Sequence, residues 1–241
     1  MEREVRTWWS PTVGQQMGVA RYGHYGKPVI YFPTGGGDFL DCERFLMVEA
    51  LAPLIEAGRV KLYAVDSTCR RSWTNPEVEP REKSRMQARY DRWLVEELAP
   101  WVKADCGGTD QRFGAVGASI GGYHALNATC KHPEWFDLMV GMSGTYQMAR
   151  RMAGTWDEDW YYNDPFQFVP NLADGDRARL RDARFVFGLG EAHENPTYTW
   201  SAANLLGKVG VWNRVEVWGP GSGHDWPTWR TMLPLFLDKL L

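Results

Sequence analysis

Residues 117–121, GASIG, place a serine between two glycines where the apolar run RFGAV is predicted to give way to a helix. A serine on such a sharp strand-to-helix turn exposes its hydroxyl, and the flanking glycines avoid the clash that a Cβ would make. The pattern predicts Ser119 as a nucleophile toward a carbonyl carbon, with the backbone N–H of Ile120 donating to the oxyanion. A plain tight turn is the alternative interpretation.

A serine hydroxyl needs a base to become a good nucleophile, and the sequence offers five histidines. His224, in GPGSGHDWPTW, follows the last predicted strand and precedes the last helix. This is the position of the base in hydrolases with the chain order Ser, acid, His, and the glycines before it let the loop approach Ser119. We therefore predict His224 as the general base, with a purely structural histidine as the alternative.

The acid is expected in the loop EAHENPTYTW, after the penultimate predicted strand. Glu194 and Glu191 compete for this role. Glu194 is preferred because it precedes an Asn-Pro pair, where the loop can turn back toward His224. Asp225 adjoins His224, but sequence neighbours rarely make the required contact, so we expect Asp225 to cap the final helix.

The second oxyanion donor is expected in PTGGGDF, after the apolar run PVIYF. We predict that Gly35 donates its N–H to the oxyanion and that Gly36 contacts the substrate, because glycines allow a ligand to approach the backbone closely. Each such donor can contribute roughly 3 kcal/mol in the transition state. A phosphate cradle is the competing interpretation, but neither GxxxxGK[ST] nor GxGxxG occurs in the sequence.

The elements that must position these residues follow from hydrophobic periodicity. Residues 5–23 alternate loosely and predict an N-terminal antiparallel hairpin. Stretches with helical periodicity lie between later apolar runs, so the class is α/β with a mainly parallel sheet. The predicted buried strands are PVIYFPT, VKLYAVD, RFGAVG, FDLMVGMSG, ARFVFGLG and NRVEVWG.

Two polar intervals, 67–80 and 146–184, interrupt this alternation and should leave the carboxyl ends of strands, where open α/β sheets bind ligands. We predict one domain over residues 1–241, with 146–184 as a short aromatic-rich, cap-like insertion. Aromatic rings in the two intervals would suit flat rings or sugar faces, and a cap that merely packs on the domain is the alternative. The predicted substrate contacts are Trp73, Trp156, Trp160 and Tyr161.

The composition excludes several other functions. A net charge of −3 gives no electrostatic reason to expect nucleic acid or an anionic membrane as a partner. No signal peptide or membrane span is recognisable, which predicts a cytoplasmic protein. The 4 cysteines lack CxxC spacing and are expected to be reduced core thiols. The predicted chemistry needs neither a metal ion nor an organic cofactor.

Taken together, these stretches resemble the putative-esterase branch of the α/β-hydrolase superfamily, which includes esterase D-like and antigen 85-like proteins. The similarity runs along most of the chain, through YFPTGGGDF, GASIGGYHA, MSGTY and HDWPTWRTMLP. The resemblance implies an α/β-hydrolase fold, with a mainly parallel central sheet and helices on both faces. It also implies Ser119 as nucleophile, His224 as base, and N–H groups near Gly35 and Ile120 as the oxyanion hole.

The sequence departs from the family at two places. Pro33-Thr34 stands where many relatives have His-Gly, and His193 stands where many have the aspartate of the triad. Members of the family include carboxylesterases, feruloyl and sugar esterases, thioesterases and acyltransferases. We therefore predict a serine esterase that forms an acyl-enzyme with a small-molecule ester, aromatic or sugar-containing. Acyl transfer by the same triad and a non-catalytic binding module with this fold are the alternatives.

Overall fold

The computed structural model describes residues 1–192 and 194–241. Within these ranges, eight strands form one sheet in the order β1-β2-β4-β3-β5-β6-β7-β8. They are β1 (Arg3–Ser10), β2 (Gln15–Tyr22), β3 (Lys27–Phe32), β4 (Val60–Val65), β5 (Phe113–Ala118), β6 (Phe136–Met142), β7 (Arg184–Ala192) and β8 (Asn213–Gly223). β1 and β2 form the predicted antiparallel hairpin, and β2 also runs antiparallel to β4. β3 to β8 pair in parallel, which confirms the predicted sheet.

The helices lie between and after the strands. They are α1 (Asp41–Arg44), α2 (Met47–Glu56), α3 (Pro80–Trp93), α4 (Ala99–Asp105), α5 (Ile120–Lys131), α6 (Glu158–Tyr161), α7 (Pro165–Phe168), α8 (Asp174–Arg181), α9 (Pro196–Lys208) and α10 (Trp226–Leu240). A π-helical turn, Leu94–Leu98, joins α3 to α4. Short 3₁₀ turns cover Cys69–Arg71, Ala149–Met152 and Val169–Asn171.

The sheet is buried on both faces because its strands alternate side chains between two hydrophobic cores. Ile30 and Phe32 of β3 point into the core formed with α3, α4, α5 and α9. Val29 and Tyr31 point into the opposite core, formed with α2 and α10. Helices therefore cover both faces, and the chain has the α/β-hydrolase architecture.

Both polar intervals follow carboxyl ends of parallel strands. Residues 67–80 connect β4 to α3, and residues 146–184 carry α6, α7 and α8 between β6 and β7. The second interval packs on the elements below it, with α6 against α3 and α7 against α5. These intervals lie at the sheet edge that also carries the turn between β5 and α5.

Within residues 1–192 and 194–241, no helix has the length and apolarity needed to cross a bilayer. The cysteines are free thiols, three buried and Cys106 half-buried.

Candidate active site

Ser119 occupies a strained turn between β5 and α5. Its backbone has φ 55° and ψ −124°, a region that costs a non-glycine residue roughly 1–3 kcal/mol. Hydrogen bonds on both sides hold it there: Ser119 N–H donates to the Met142 carbonyl (2.9 Å), and its own carbonyl accepts from Gly122 (3.1 Å) and Thr145 (3.0 Å). The residue is half-buried. The turn therefore has the strained strand-to-helix geometry of a nucleophile elbow.

The glycines around Ser119 are required by close packing of the elbow. A Cβ on Gly117 would lie 2.5 Å from the carbonyl carbon of Gly121, and a Cβ on Gly121 would collide with the carbonyl oxygen of Phe32. A Cβ on Gly122 would lie 3.1 Å from Gly144 Cα. α5 thus approaches the backbone of its neighbours more closely than any side chain at these positions would allow.

The loop after β3 is folded into a tight turn beside the elbow. The Gly36 and Gly37 N–H groups both donate to the Thr34 carbonyl, at 2.8 and 2.9 Å. The buried Asp41 carboxylate accepts from Thr34 N–H (3.1 Å) and Thr34 Oγ1 (2.8 Å), which fixes the start of the turn. Nothing in the sequence singled out Asp41, because its role depends on the loop folding back over α1.

Gly35 lies directly against the N-terminus of α5. A Cβ on Gly35 would be 3.6 Å from Ile120 Cγ2. Among the described residues, the Gly35 N–H has no acceptor in the chain. The Ile120 N–H, at the first helical position, has no intrahelical acceptor either. Two predicted oxyanion donors are therefore brought together, whereas the Gly36 N–H is already used in the turn.

Glu194 is held by hydrogen bonds to one of its carboxylate oxygens. Its Oε1 accepts from Ser143 Oγ (2.6 Å) and from the Gly190 N–H (3.0 Å). Glu191, the competing acid, is exposed at the end of β7 and makes no hydrogen bond through its side chain to the described residues. His193, which stands where many relatives have aspartate, lies outside the described residues. The geometry thus favours Glu194 over Glu191.

His224 is exposed, and its ring packs edge-on against Trp229, with centroids 5.1 Å apart and planes at 78°. Asp225 Oδ1 accepts from the Thr228 N–H (2.9 Å), so the predicted cap of the last helix is confirmed. In residues 1–192 and 194–241, no direct hydrogen bond joins His224 to Ser119 or to Glu194. Catalytic hydrogen bonds are often long in the absence of substrate.

Trp229 connects the surroundings of Glu194 to those of His224. Its Nε1–H donates to Ser143 Oγ at 2.9 Å, and the same hydroxyl donates to Glu194. Ser143 and Trp229 lie in the stretches MSGTY and HDWPTW. Their hydrogen bond depends on the packing of α10 against the end of β6, so neither stretch alone could predict it.

The two buried tryptophans predicted as substrate contacts pack in the core instead. Trp73 and Trp160 are only 1% and 4% exposed, and their rings meet edge-on at 5.8 Å. The Trp73 indole N–H donates to Gln87 Oε1 (2.9 Å), and both rings share a hydrophobic cluster with Ile120. The structure therefore corrects these two predictions, because α6 packs against α3 and buries both rings beside Ile120.

Trp156 and Tyr161 expose ring surface to solvent. Trp156 is 58% exposed and its Nε1–H donates to Gln167 Oε1 (3.0 Å). Tyr161 is half-buried, with its ring edge-on to Trp156 at 6.4 Å and its hydroxyl accepting from Asn171 Nδ2 (3.1 Å). Of the predicted aromatic contacts, these two are accessible to a ligand.

Two other histidines near the elbow helix have structural roles. Burial lowers the pKa of His124 to about 3, and its Nε2 lies 3.1 Å from Cys69 Sγ. Burial also acts to lower the pKa of His132, but hydrogen bonds to Asp91 and Glu134 outweigh it and raise that pKa to about 9. Neither group has the exposed, neutral imidazole that a general base at this site requires, whereas His224 is exposed.

Comparison with known proteins identifies the family of this chain. The sequence profile of the family described as Putative esterase matches residues 10–239. Solved structures with this fold include a ferulic acid esterase, with TM-score 0.74 and 15% identity over 100% of this chain and 99% of that one. The fluorophosphonate-binding serine hydrolase F of Staphylococcus aureus has TM-score 0.73 and 13% identity, over 99% and 98% of the two chains. MPT51 of Mycobacterium tuberculosis has TM-score 0.71 and 18% identity, over 100% and 98%.

Proposed function

Since this chain belongs to the putative esterase family and is a carboxylic ester hydrolase, we propose that Ser119, His224 and Glu194 are its catalytic triad. The observation that carries this proposal is the φ of 55° at Ser119. A strained serine packed between obligatory glycines, beside two N–H groups without acceptors, is what attack on a carbonyl requires.

In the first half of the proposed reaction, His224 accepts the Ser119 hydroxyl proton while Ser119 Oγ bonds to the ester carbonyl carbon. The carbonyl electron pair moves onto oxygen, where the Gly35 and Ile120 N–H groups donate to it. The carbon–oxygen bond to the alcohol then breaks, and the alcohol takes the proton from His224. The acyl group is left on Ser119.

In the second half, His224 accepts a proton from water, and the resulting hydroxide attacks the acyl carbon. The oxyanion forms on the same two N–H groups, and its collapse breaks the bond to Ser119 Oγ, which recovers its proton from His224. Glu194 orients the imidazole throughout. Only Oε1 of Glu194 is engaged by Ser143 and Gly190, which leaves Oε2 to accept from His224.

The substrate proposed is a small ester with an aromatic or sugar-containing group, bound against Trp156 and Tyr161 beside the Gly36 turn. The exposed rings of these two residues support this choice, because flat rings and sugar faces pack well on aromatic surfaces. One structural neighbour is a ferulic acid esterase, which fits the same class. A cytoplasmic location and a single domain with residues 146–184 as cap remain parts of this proposal.

The test is hydrolysis of p-nitrophenyl esters from acetate to octanoate, with an aromatic acyl ester, by the wild type and Ser119→Ala. Covalent labelling with an organophosphonate, detected by intact mass, tests the same serine. We expect turnover and a single adduct in the wild type and neither in Ser119→Ala. Ser201→Ala, a half-buried serine on α9, is the matched control and should behave as wild type. Full activity in Ser119→Ala would refute the proposed nucleophile.

A further inference from the structure

Resting on the proposed function, we propose that Ser143 and Trp229 are positioning residues that fix the acid and the base of the triad relative to each other. Neither needs to touch the substrate. Ser143 follows β6, and Trp229 lies in the first turns of α10, so they approach the site from two different elements. Both are buried, with 4% and 3% of their surface exposed.

The hydrogen bonds of this pair run in one direction. An indole N–H can only donate, so Ser143 Oγ must accept at the 2.9 Å contact with Trp229 Nε1. The serine proton is then available to the carboxylate of Glu194, at 2.6 Å. With the Gly190 N–H at 3.0 Å, Oε1 of Glu194 has two donors. These contacts stop the carboxylate from rotating freely.

The backbone of Ser143 indicates that its position is enforced. Its φ is 49°, which is uncommon for a residue other than glycine. The Ser143 N–H donates to the Gly188 carbonyl at 2.8 Å, which ties the residue to β7, the strand that precedes Glu194. The strained backbone therefore holds the Ser143 hydroxyl beside the end of β7, from which the chain continues to Glu194.

Trp229 also holds the base. The same indole that donates to Ser143 contacts the His224 ring edge-on at 5.1 Å, and Trp226 packs edge-on against this indole at 5.3 Å. One side chain thus contacts the base directly and the acid through a single hydroxyl. Because Glu has one more rotatable bond than Asp, this chain needs such an anchor more than a chain with the shorter acid would.

The test uses Ser143→Ala, which removes the hydroxyl, and Trp229→Phe, which keeps an aromatic ring for His224 and removes the donor. We expect kcat for the preferred p-nitrophenyl ester to fall about tenfold in each variant, with KM within twofold, since a hydrogen bond to a charged group is lost. The double variant should lose little more than either single variant, because the two residues act in series. Trp218→Phe, a half-buried tryptophan on β8, is the matched control and should keep the wild-type kcat.

A purely structural role is distinguished by repeating both substitutions in a Glu194→Gln background. If the pair acts through the acid, each should then cost less than twofold. An unchanged tenfold loss in that background, or wild-type kcat in both single variants, would overturn the positioning role. Thermal unfolding of each variant identifies any that fold poorly, and Trp229→Phe preserves most of the buried volume.

The two proposals fail in different ways. A wild-type protein that neither hydrolyses esters nor forms a phosphonate adduct at Ser119 would refute the proposed function. A wild type that does both, while Ser143→Ala and Trp229→Phe keep full kcat, would refute the positioning role alone. Rates of phosphonate labelling give a second readout, because labelling also requires His224 to activate Ser119.

Discussion

Glu194 shows how much the length of one side chain determines at this site. Its carboxylate bonds to Ser143 and to the Gly190 N–H at the full length of a glutamate side chain. The sequence could predict an acid in this loop from its place after the penultimate strand. The Asn-Pro pair after Glu194 favoured it over Glu191, but the sequence could not predict that its carboxylate contacts Ser143, because Ser143 follows a different strand.

Substitutions at the two glutamates separate their roles. Glu194→Asp withdraws the carboxylate by about 1.5 Å, one carbon–carbon bond, and we expect kcat to fall roughly 10-fold to 100-fold. Glu194→Gln removes the charge that stabilises the imidazolium and should cost more, on the order of 1000-fold. Glu191→Ala is the control and should stay within twofold of wild type. Steady-state kinetics on one p-nitrophenyl ester measure all three, and a larger loss in Glu191→Ala than in Glu194→Gln would reverse the assignment.

At the scale of elements, sequence patterns predicted the strands and the helix cap that neighbouring residues determine. The six apolar runs became β3 to β8, and Asp225 caps α10. Between β3 and β4, however, the chain forms two helices, α1 and α2, separated at Leu46, whose φ is 61°. The ring of the preceding Phe45 stacks on Trp226 at 4.6 Å, a contact between distant segments that helical periodicity could not predict. The burial of Trp73 and Trp160 escaped prediction for the same reason.

The close packing of the elbow helix makes Gly121 sensitive to substitution. In Gly121→Ala the Cβ would collide with the Phe32 carbonyl, which is backbone and cannot rotate away, so α5 must shift from β3. We expect a loss of about 1–3 kcal/mol in the free energy of unfolding, measured by urea denaturation. Gly175→Ala on α8 is the matched control, because its Cβ meets no atom within 4 Å, and it should be stabilised by roughly 0.5–1 kcal/mol. Equal stabilities of the two variants would contradict the packing argument.

At the scale of the whole molecule, a buried charge cluster joins α3 to the far end of the elbow helix. Asp91, 4% exposed, accepts from His132 Nε2 at 2.9 Å and pairs with Lys131 Nζ at 2.7 Å. His132 occupies the C-cap position of α5. Its partner lies 41 positions away in sequence, so the ion pair could not be found without the fold.

This cluster should make stability depend on pH in the alkaline range. The pKa of His132 is raised from 6.5 to about 9 in the folded chain, so its stabilisation is complete below about pH 6.5 and is lost as pH rises through about 9. The shift corresponds to a loss of about 3 kcal/mol in the free energy of unfolding.

Urea unfolding at pH 6, 7, 8 and 9 measures this loss. In His132→Gln the decline between about pH 6.5 and 9 should be much shallower, and the stability at pH 6 should be lower than that of wild type, because the buried Asp91 keeps Lys131 but loses the second of its two charged partners. The matched control is His24→Gln, an exposed histidine in the turn before β3, which should keep the wild-type slope. If wild type and His132→Gln declined in parallel, the Asp91–His132 pair would not be the source of the pH dependence. A flat wild-type curve would mean that His132 titrates near its ordinary pKa and that the junction of α3 with α5 is held by packing alone.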